Sequence, residues 1–251
     1  MHRIWLEYGV LCFRHQKLSP TQQAQFARSF GELDVYPFMR ASESHPNVIE
    51  LVKEPGSQTN FGGLWHTDTS YLPEPPKATV LYAVEVPTVG GDTLFADARA
   101  AYDGLSPALR DRFVDTRGVY SPRLVHGQGG AYAVEAAQAD LGARYGADPD
   151  CAEAEVEHPL FRTHPDTGRK SIYCSLAHTW RIVGMSREAS LPVLRELDEH
   201  ATADRYVTRL RWEPGTLAIW DNRCLFHYAL NDYHGKRRHM RRVIVRGDRP
   251  C

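Results

Sequence analysis

Apolar and β-branched residues in this chain occur in short runs, each closed by Gly, Pro, Asn, Asp or Ser, from residue 9 almost to the end. Runs of that length bounded by turn formers are strands, and a chain built mostly of them folds into packed sheets. The strand candidates are residues 9–14, 47–52, 79–86, 93–95, 160–163, 170–174, 206–212, 216–220 and 241–245, with turn chemistry at 54–63, 90–92, 164–168 and 213–215. Ser19 followed by Pro20 reads as a cap and a first helical residue, opening a helix of about ten residues. Further helical patterns cover about 97–113 and 186–201. Residues 118–158 read as irregular, with glycines at 127, 129, 130, 142 and 146, and a lid or insertion is expected there. No internal repeat or linker divides the chain, so one mainly β domain with flanking helices is expected over residues 1–251.

Composition excludes several classes of function. The 251 residues, 42% of them hydrophobic, suffice for a substantial core. Thirty basic against thirty-one acidic residues leave a net charge of -1, which provides no field to recruit nucleic acid or an acidic membrane. There is no run of about 18 apolar residues and no signal-peptide pattern at the N-terminus, so a soluble cytoplasmic protein is expected. Five scattered cysteines without a C-x-x-C pair suggest neither a disulfide framework nor a cysteine zinc site.

Two groups of residues carry chemistry. Trp65-His66-Thr67-Asp68 follows a glycine-rich loop, and in extended chain residues two apart share a face. His66 and Asp68 then supply two of the three ligands of a facial triad, the set that suits non-haem Fe(II) because it leaves positions open. His227, just beyond the apolar run 216–220, is the best-placed third ligand. A surface pair is the alternative for any isolated H-x-D, and His164-Pro165-Asp166, inside a turn, is read that way. The second group is Arg237-Arg238-His239-Met240-Arg241-Arg242, with four arginines. A solvated basic face is one reading. Entering a strand, however, the run places Arg238, Met240 and Arg242 on one side, with the two arginines roughly 13 Å apart, as guanidinium forks for two different anions.

Taken together, Tyr8-Gly9-Val10-Leu11-Cys12-Phe13-Arg14, Trp65-His66-Thr67-Asp68, Gly90-Gly91-Asp92-Thr93, Trp220-Asp221-Asn222-Arg223 and the run from Arg237 to Arg242 resemble the Fe(II)/2-oxoglutarate-dependent dioxygenases of the taurine dioxygenase and 2,4-dichlorophenoxyacetate dioxygenase (TauD/TfdA) family. The resemblance extends from about Leu6 to Pro250. It implies a double-stranded β-helix, the cupin-like jelly roll. It implies Fe(II) on His66, Asp68 and His227, the distal carboxylate of 2-oxoglutarate on Thr93 and Arg238, and Arg242 against the anionic group of the substrate or close to the co-substrate. It also implies use of O2, release of succinate and CO2, and hydroxylation rather than halogenation, since Asp68 is a carboxylate where halogenases carry a small residue. Tyr36 and His178 align with positions where taurine oxygenases place a substrate-binding histidine and phenylalanine, which argues against taurine. The strings 174–178 and 222–227 look closer to the phenoxyalkanoate branch. A small phenoxyalkanoate-, sulfonate- or sulfate-like organic anion is the substrate class implied, and hydroxylation beside its heteroatom gives a product that falls apart. Most members carry a segment ahead of the first strand matched here, so the chain reads as a shortened variant or a truncated start. An edge exposed by that loss makes a homodimer or higher homo-oligomer the expected assembly.

Two competing functions stay open on the sequence: a cupin-type iron dioxygenase that does not use 2-oxoglutarate, which leaves Thr93 and Arg238 without a purpose, and a catalytically silent jelly-roll binding protein. Among single residues, Trp65, Trp212 and Trp220 read as core packing and His126 as a lid residue without a ligand role. Tyr71 reads as pocket-lining or packing, and His239 and Arg241 as structural residues facing away from Arg238 and Arg242.

Overall fold

In the computed structural model, which describes residues 1–36, 44–58, 60–127, 130 and 153–251, the chain opens with a short helix that its sequence pattern did not announce, α1 (His2–Tyr8). Gly9, at φ 74°, ends it and turns the chain into β1 (Val10–Phe13). The Ser19 hydroxyl accepts from the Gln22 N–H and the Gln22 side chain returns to the Ser19 N–H, a reciprocal cap that starts α2 (Pro20–Arg28) as expected. Then follow β2 (Leu33–Asp34), β3 (Ile49–Lys53), β4 (Ala78–Glu85) and β5 (Thr93–Asp97). The helix expected over 97–113 is two, α3 (Ala98–Asp103) and α4 (Pro107–Phe113). Ser106 caps α4 with Pro107 behind it, the same start signal as at Ser19 and Pro20.

Residues 118–158, expected to be irregular, begin and end in regular structure. β6 (Arg117–Tyr120) leads to α5 (Arg123–His126), and β7 (Val156–Pro159) pairs antiparallel with β6. The expected lid itself lies, for the most part, outside the described residues. The hairpin expected around 164–168 is formed by β8 (Phe161–Thr163) and β9 (Lys170–Ile172). The chain finishes with β10 (Thr179–Ile182), α6 (Arg187–Ala201) capped by Ser186, β11 (Val207–Leu210), β12 (Leu217–Asp221), β13 (Leu225–Ala229) and β14 (Arg238–Val245).

Two antiparallel sheets form the core of the architecture. The larger runs β1-β12-β4-β14-β2, with β3 also on β14; the smaller runs β11-β5-β13. Leu81 and Ala83 of β4, Ala218 and Trp220 of β12 and Met240 of β14 pack against Phe95 of β5, Leu210 of β11 and Leu225 of β13 between the sheets. On the outer face of the larger sheet Val80, Tyr82, Ile219, Val243 and Val245 meet Trp5 of α1, Ala24 and Ala27 of α2 and Phe30 just beyond it. Buried on both faces, β4 is almost continuously apolar instead of alternating. This sandwich of two sheets is the jelly roll expected. Among the described residues no helix is long and apolar enough to cross a membrane.

The turn between β12 and β13 is held by charge. Arg223 donates from Nε and from a terminal nitrogen to the two oxygens of Asp221, each at 2.8 Å, and from its other terminal nitrogen to Asp166 at 2.9 Å. The His164 Nε2–H reaches Asp221 at 3.0 Å. His164-Pro165-Asp166 is therefore in a turn, as read, but His164 is buried and not at the surface. Burial opposes ionisation of Asp221, yet Arg223 and His164 outweigh it and pull its pKa down to about 2. Replacing Arg223 with Met leaves Asp221 charged, buried and short of its strongest partner, and is expected to lower unfolding free energy in urea by about 3 kcal/mol or more.

His158 of β7 is also buried, and its Nε2 bonds the Leu72 carbonyl at 2.8 Å. Burial lowers its pKa from 6.5 to about 4. The unfolded chain thus takes up this proton first as pH falls, and stability that is complete above pH 6.5 drains between 6.5 and about 4, on the order of 3 kcal/mol from this group. His158→Gln keeps an N–H and cannot titrate, so its urea-derived stability is expected to fall less steeply than that of the wild type across this window.

Candidate active site

His66 lies where the chain comes out of the loop at 60–65 and pairs with β13. Its N–H donates to the His227 carbonyl at 3.2 Å, and the His227 N–H returns to the His66 carbonyl at 2.8 Å. This single bridge brings residues from opposite halves of the chain together, with ring centroids 4.2 Å apart. Asp68, two residues on, points to the same place: its Oδ1 is 3.7 Å from His66 Nε2 and 3.6 Å from His227 Nε2. All three residues are nearly buried, and their ligand atoms lie within 4.8 Å of one another. The structure thus brings together the three residues expected to supply the triad's ligands.

The donor set fits a divalent cation. The His66 Nδ1–H is taken by the Leu64 carbonyl at 2.6 Å, so the lone pair sits on Nε2, facing Asp68. The other oxygen of Asp68 accepts from the Thr79 hydroxyl and lies 3.0 Å from a terminal nitrogen of Arg242. Burial works against the Asp68 charge, but Arg242, His227 and His66 overcome it and hold the carboxyl well below its usual range. Burial, with His66 nearby, lowers His227 to about 4. At neutral pH Asp68 is therefore a carboxylate and His227 a neutral imidazole, the forms that bind metal. Thr69, next to Asp68, is a β-branched residue at φ 44°, a strained conformation costing about 1–3 kcal/mol that persists where surrounding structure imposes it.

Two clefts meet at the triad, sharing Phe61, Gly62, His66 and Asp68. One, of about 430 Å³, is lined further by Thr93, Leu81, Trp220, His227, Arg238 and Arg242. Both arginines of β14 thus face one cleft, as their spacing predicted. Arg238 is 8% exposed, its Nε has no hydrogen-bond partner, and no ion pair reaches it among the described residues. Such a group is costly unless an anion joins it. Thr93 Oγ1 accepts from the Trp212 indole N–H at 2.9 Å, which leaves the hydroxyl proton for an acceptor in the cleft.

The second cleft, about 370 Å³, is lined by Tyr36, Leu64, Tyr71, Val125, His126 and His178, among others. Tyr36 and His178, assigned from alignment, are both there. Arg242 lines the first cleft, yet its guanidinium lies 4.8 Å over the Tyr36 ring and so borders both. His178 Nδ1 is 2.9 Å from Ser70 Oγ and its ring stands edge-on to Tyr71 at 4.7 Å; burial keeps it neutral.

Other single residues follow the sequence reading in part. Tyr71 lines the pocket, and His126, read as having no ligand role, lines it too, 3.3 Å from the Tyr71 hydroxyl. Trp212 and Trp220 are core residues, as expected, but also touch the site. His239 pairs with Glu50 and Arg241 bonds the Leu18 carbonyl, away from the clefts. Thr79 was missed. Its only signal was a hydroxyl in an otherwise apolar strand, where a buried polar group demands a partner. A second cluster, His164, Asp221 and Cys224, also has metal-ligand residue types, but Asp221 there is already engaged by Arg223 and His164. It is a structural cluster.

Comparison with known proteins places this geometry. Residues 1–244 match the family model described as taurine catabolism dioxygenase TauD, TfdA family. The chain is 33% identical over 250 residues to an alkylsulfatase of Acinetobacter baylyi, covering 99% of this chain and 76% of that one. It is 34% identical over 237 residues to an (S)-phenoxypropionate/alpha-ketoglutarate-dioxygenase of Sphingobium herbicidovorans, covering 90% and 77%. The crystal structure of a taurine dioxygenase from Burkholderia xenovorans superposes with a TM-score of 0.80 at 30% identity, over 99% of this chain and 79% of that one.

Anaerobic titration with Mn(II) distinguishes the two clusters. One-to-one binding is expected for the wild type and for Cys224→Ala, and no saturable binding at the same concentrations for His66→Ala.

Proposed function

The chain belongs to the TauD/TfdA family and is a 2-oxoglutarate-dependent dioxygenase, and from that membership we propose that His66, Asp68 and His227 hold Fe(II), that Thr93 and Arg238 bind 2-oxoglutarate, and that Arg242, Tyr36 and His178 receive a small organic anion. When bound, iron and 2-oxoglutarate supply the oxidising power that inserts one oxygen atom of O2 into a substrate C–H bond, with succinate and CO2 as the co-products.

The observation that carries this reading is Arg238, a buried guanidinium without an ion pair among the described residues, beside a hydroxyl with a proton to give. A bidentate carboxylate satisfies both. Leu51, Leu81 and Trp220 form the walls along which a short aliphatic stem lies between that carboxylate and the metal. The cupin-type alternative, which uses no second carboxylate, leaves Arg238 buried without a counter-ion.

On the substrate side, Arg242 supplies positive charge at the border of the clefts, and Tyr36, Phe61, Leu64, Tyr71, Val125 and Ala177 supply a mostly apolar and aromatic wall. Neutral His178, with Nδ1 engaged by Ser70, has Nε2 for an ether or ester oxygen. These groups support an anion with an alkyl or aromatic body, the class to which the phenoxypropionate and alkyl sulfate substrates named for the relatives belong. Hydroxylation at the carbon bonded to the ether or sulfate oxygen gives a hemiacetal-type product, which collapses to a carbonyl compound and the alcohol or sulfate. Catalysis then looks like cleavage.

Arg238→Ala removes the carboxylate partner and leaves the metal ligands in place. Its KM for 2-oxoglutarate is expected to rise by about 100-fold, the equivalent of about 3 kcal/mol for a charged hydrogen-bonding partner, while Mn(II) binding is unchanged. An unchanged KM, read from succinate release, overturns the assignment.

A further inference from the structure

We propose that the Asn222 side chain, acting through the Thr79 hydroxyl, orients the Asp68 carboxylate so that only one of its oxygens faces the metal position. This inference rests on the reading of His66, Asp68 and His227 as metal ligands.

The direction of each hydrogen bond follows from what each group is able to donate. An indole N–H only donates, and Trp220 Nε1 lies 2.9 Å from Asn222 Oδ1, so the oxygen end of the Asn222 amide faces the indole. Its nitrogen end then faces Thr79 Oγ1 at 3.1 Å. An amide nitrogen also only donates, so Thr79 accepts there and its single proton goes to Asp68 Oδ2. The path from the indole through the amide and the hydroxyl to the carboxylate therefore has one polarity, and all four residues are nearly buried. Aligned donors of this kind reinforce one another in a low-dielectric interior.

Three further observations tie this path to Asp68 and not simply to packing. The Thr67 hydroxyl donates to the Asn222 carbonyl at 2.5 Å, locking the turn after β12 to the segment that carries His66 and Asp68. Arg242 meets the same oxygen of Asp68 from the other side at 3.0 Å. Asp68 Oδ1, which neither Thr79 nor Arg242 contacts, is the oxygen at 3.7 and 3.6 Å from the two Nε2 atoms. With Oδ2 committed, the carboxylate contributes one ligand atom, and the remaining coordination positions stay available for a chelating co-substrate and O2. Thr79 and Asn222 are positioning residues, since neither is a ligand.

The test is metal affinity of the full chain, measured by anaerobic titration with Mn(II) and Co(II) alongside the melting temperature of the metal-free protein. Thr79→Val preserves shape and removes the hydroxyl; it is expected to weaken both metals by about 10- to 100-fold and to change the Co(II) d–d spectrum as the carboxylate turns. Thr79→Ser restores wild-type affinity. Asn222→Ala weakens binding when Thr79 is present and adds no loss when Thr79 is already Val, because its effect passes through that hydroxyl. If Thr79→Val fails to fold, Asn222→Asp takes its place. That variant keeps the size and the Trp220 bond but turns the donor into an acceptor, so the Thr79 proton is drawn off Asp68 and affinity is expected to fall, against the simple electrostatic expectation that added negative charge tightens binding. Wild-type affinity in Thr79→Val, additive losses in the double variant, or unchanged or tighter binding in Asn222→Asp overturns the inference alone. Absence of metal binding by the wild type overturns the site reading with it.

Discussion

A carboxylate buried as deeply as that of Asp68 is tolerable only when several partners share its charge, because isolated ionised groups are expelled from protein interiors or protonated. Here the partners come from separate parts of the molecule. Arg242 is on β14, Thr79 on β4 and His227 on β13, while His66 is two residues away along the chain. The carboxylate keeps its charge only once both sheets are assembled. Conversely, the positive charge of Arg242 deep in the larger sheet is compensated by Asp68. The site and the sandwich are thus mutually dependent.

The unequal treatment of the two β14 arginines divides the labour around the triad. Arg242 is already partnered by Asp68 and lies against the Tyr36 ring. Arg238, four residues earlier on the same face, has no such ion pair among the described residues, and the hydroxyl beside it is polarised outward by Trp212. The first guanidinium stabilises the built-in anion and borders both clefts. The second has no built-in anion of this kind among the described residues.

The cluster of Asp221, Arg223, His164 and Asp166 contains the same residue types and is just as buried at its centre, yet its chemistry is closed. Each Asp221 oxygen is bonded by Arg223, and His164 takes up further capacity. In the triad, by contrast, Asp68 Oδ1 and two imidazole Nε2 atoms converge, and neither Thr79 nor Arg242 contacts that oxygen. What distinguishes a metal position from a structural ion pair is not composition but whether donor lone pairs remain after the protein's own hydrogen bonds are counted.

Local physics was legible in the chain itself. Runs that became β4, β12 and β14, the cap at Ser19, the helix from Ser186, the shared face of His66 and Asp68 and that of Arg238 and Arg242 all follow from backbone periodicity and from side-chain competition for helix-end N–H groups, which operate over a few residues. The split at Ser106 and Pro107 was written in the same code and passed over, while α1 is too short to show a period. Tertiary structure decided the rest. Thr79 became a partner of Asp68 because the pleat of β4 turns it toward the inter-sheet space; His164 was buried because a distant carboxylate needed its N–H; and His126 came to line a pocket through its approach to Tyr71. Those roles depend on charges and hydrogen-bond donors brought together across long loops, and no spacing within a single segment encodes which distant group will arrive.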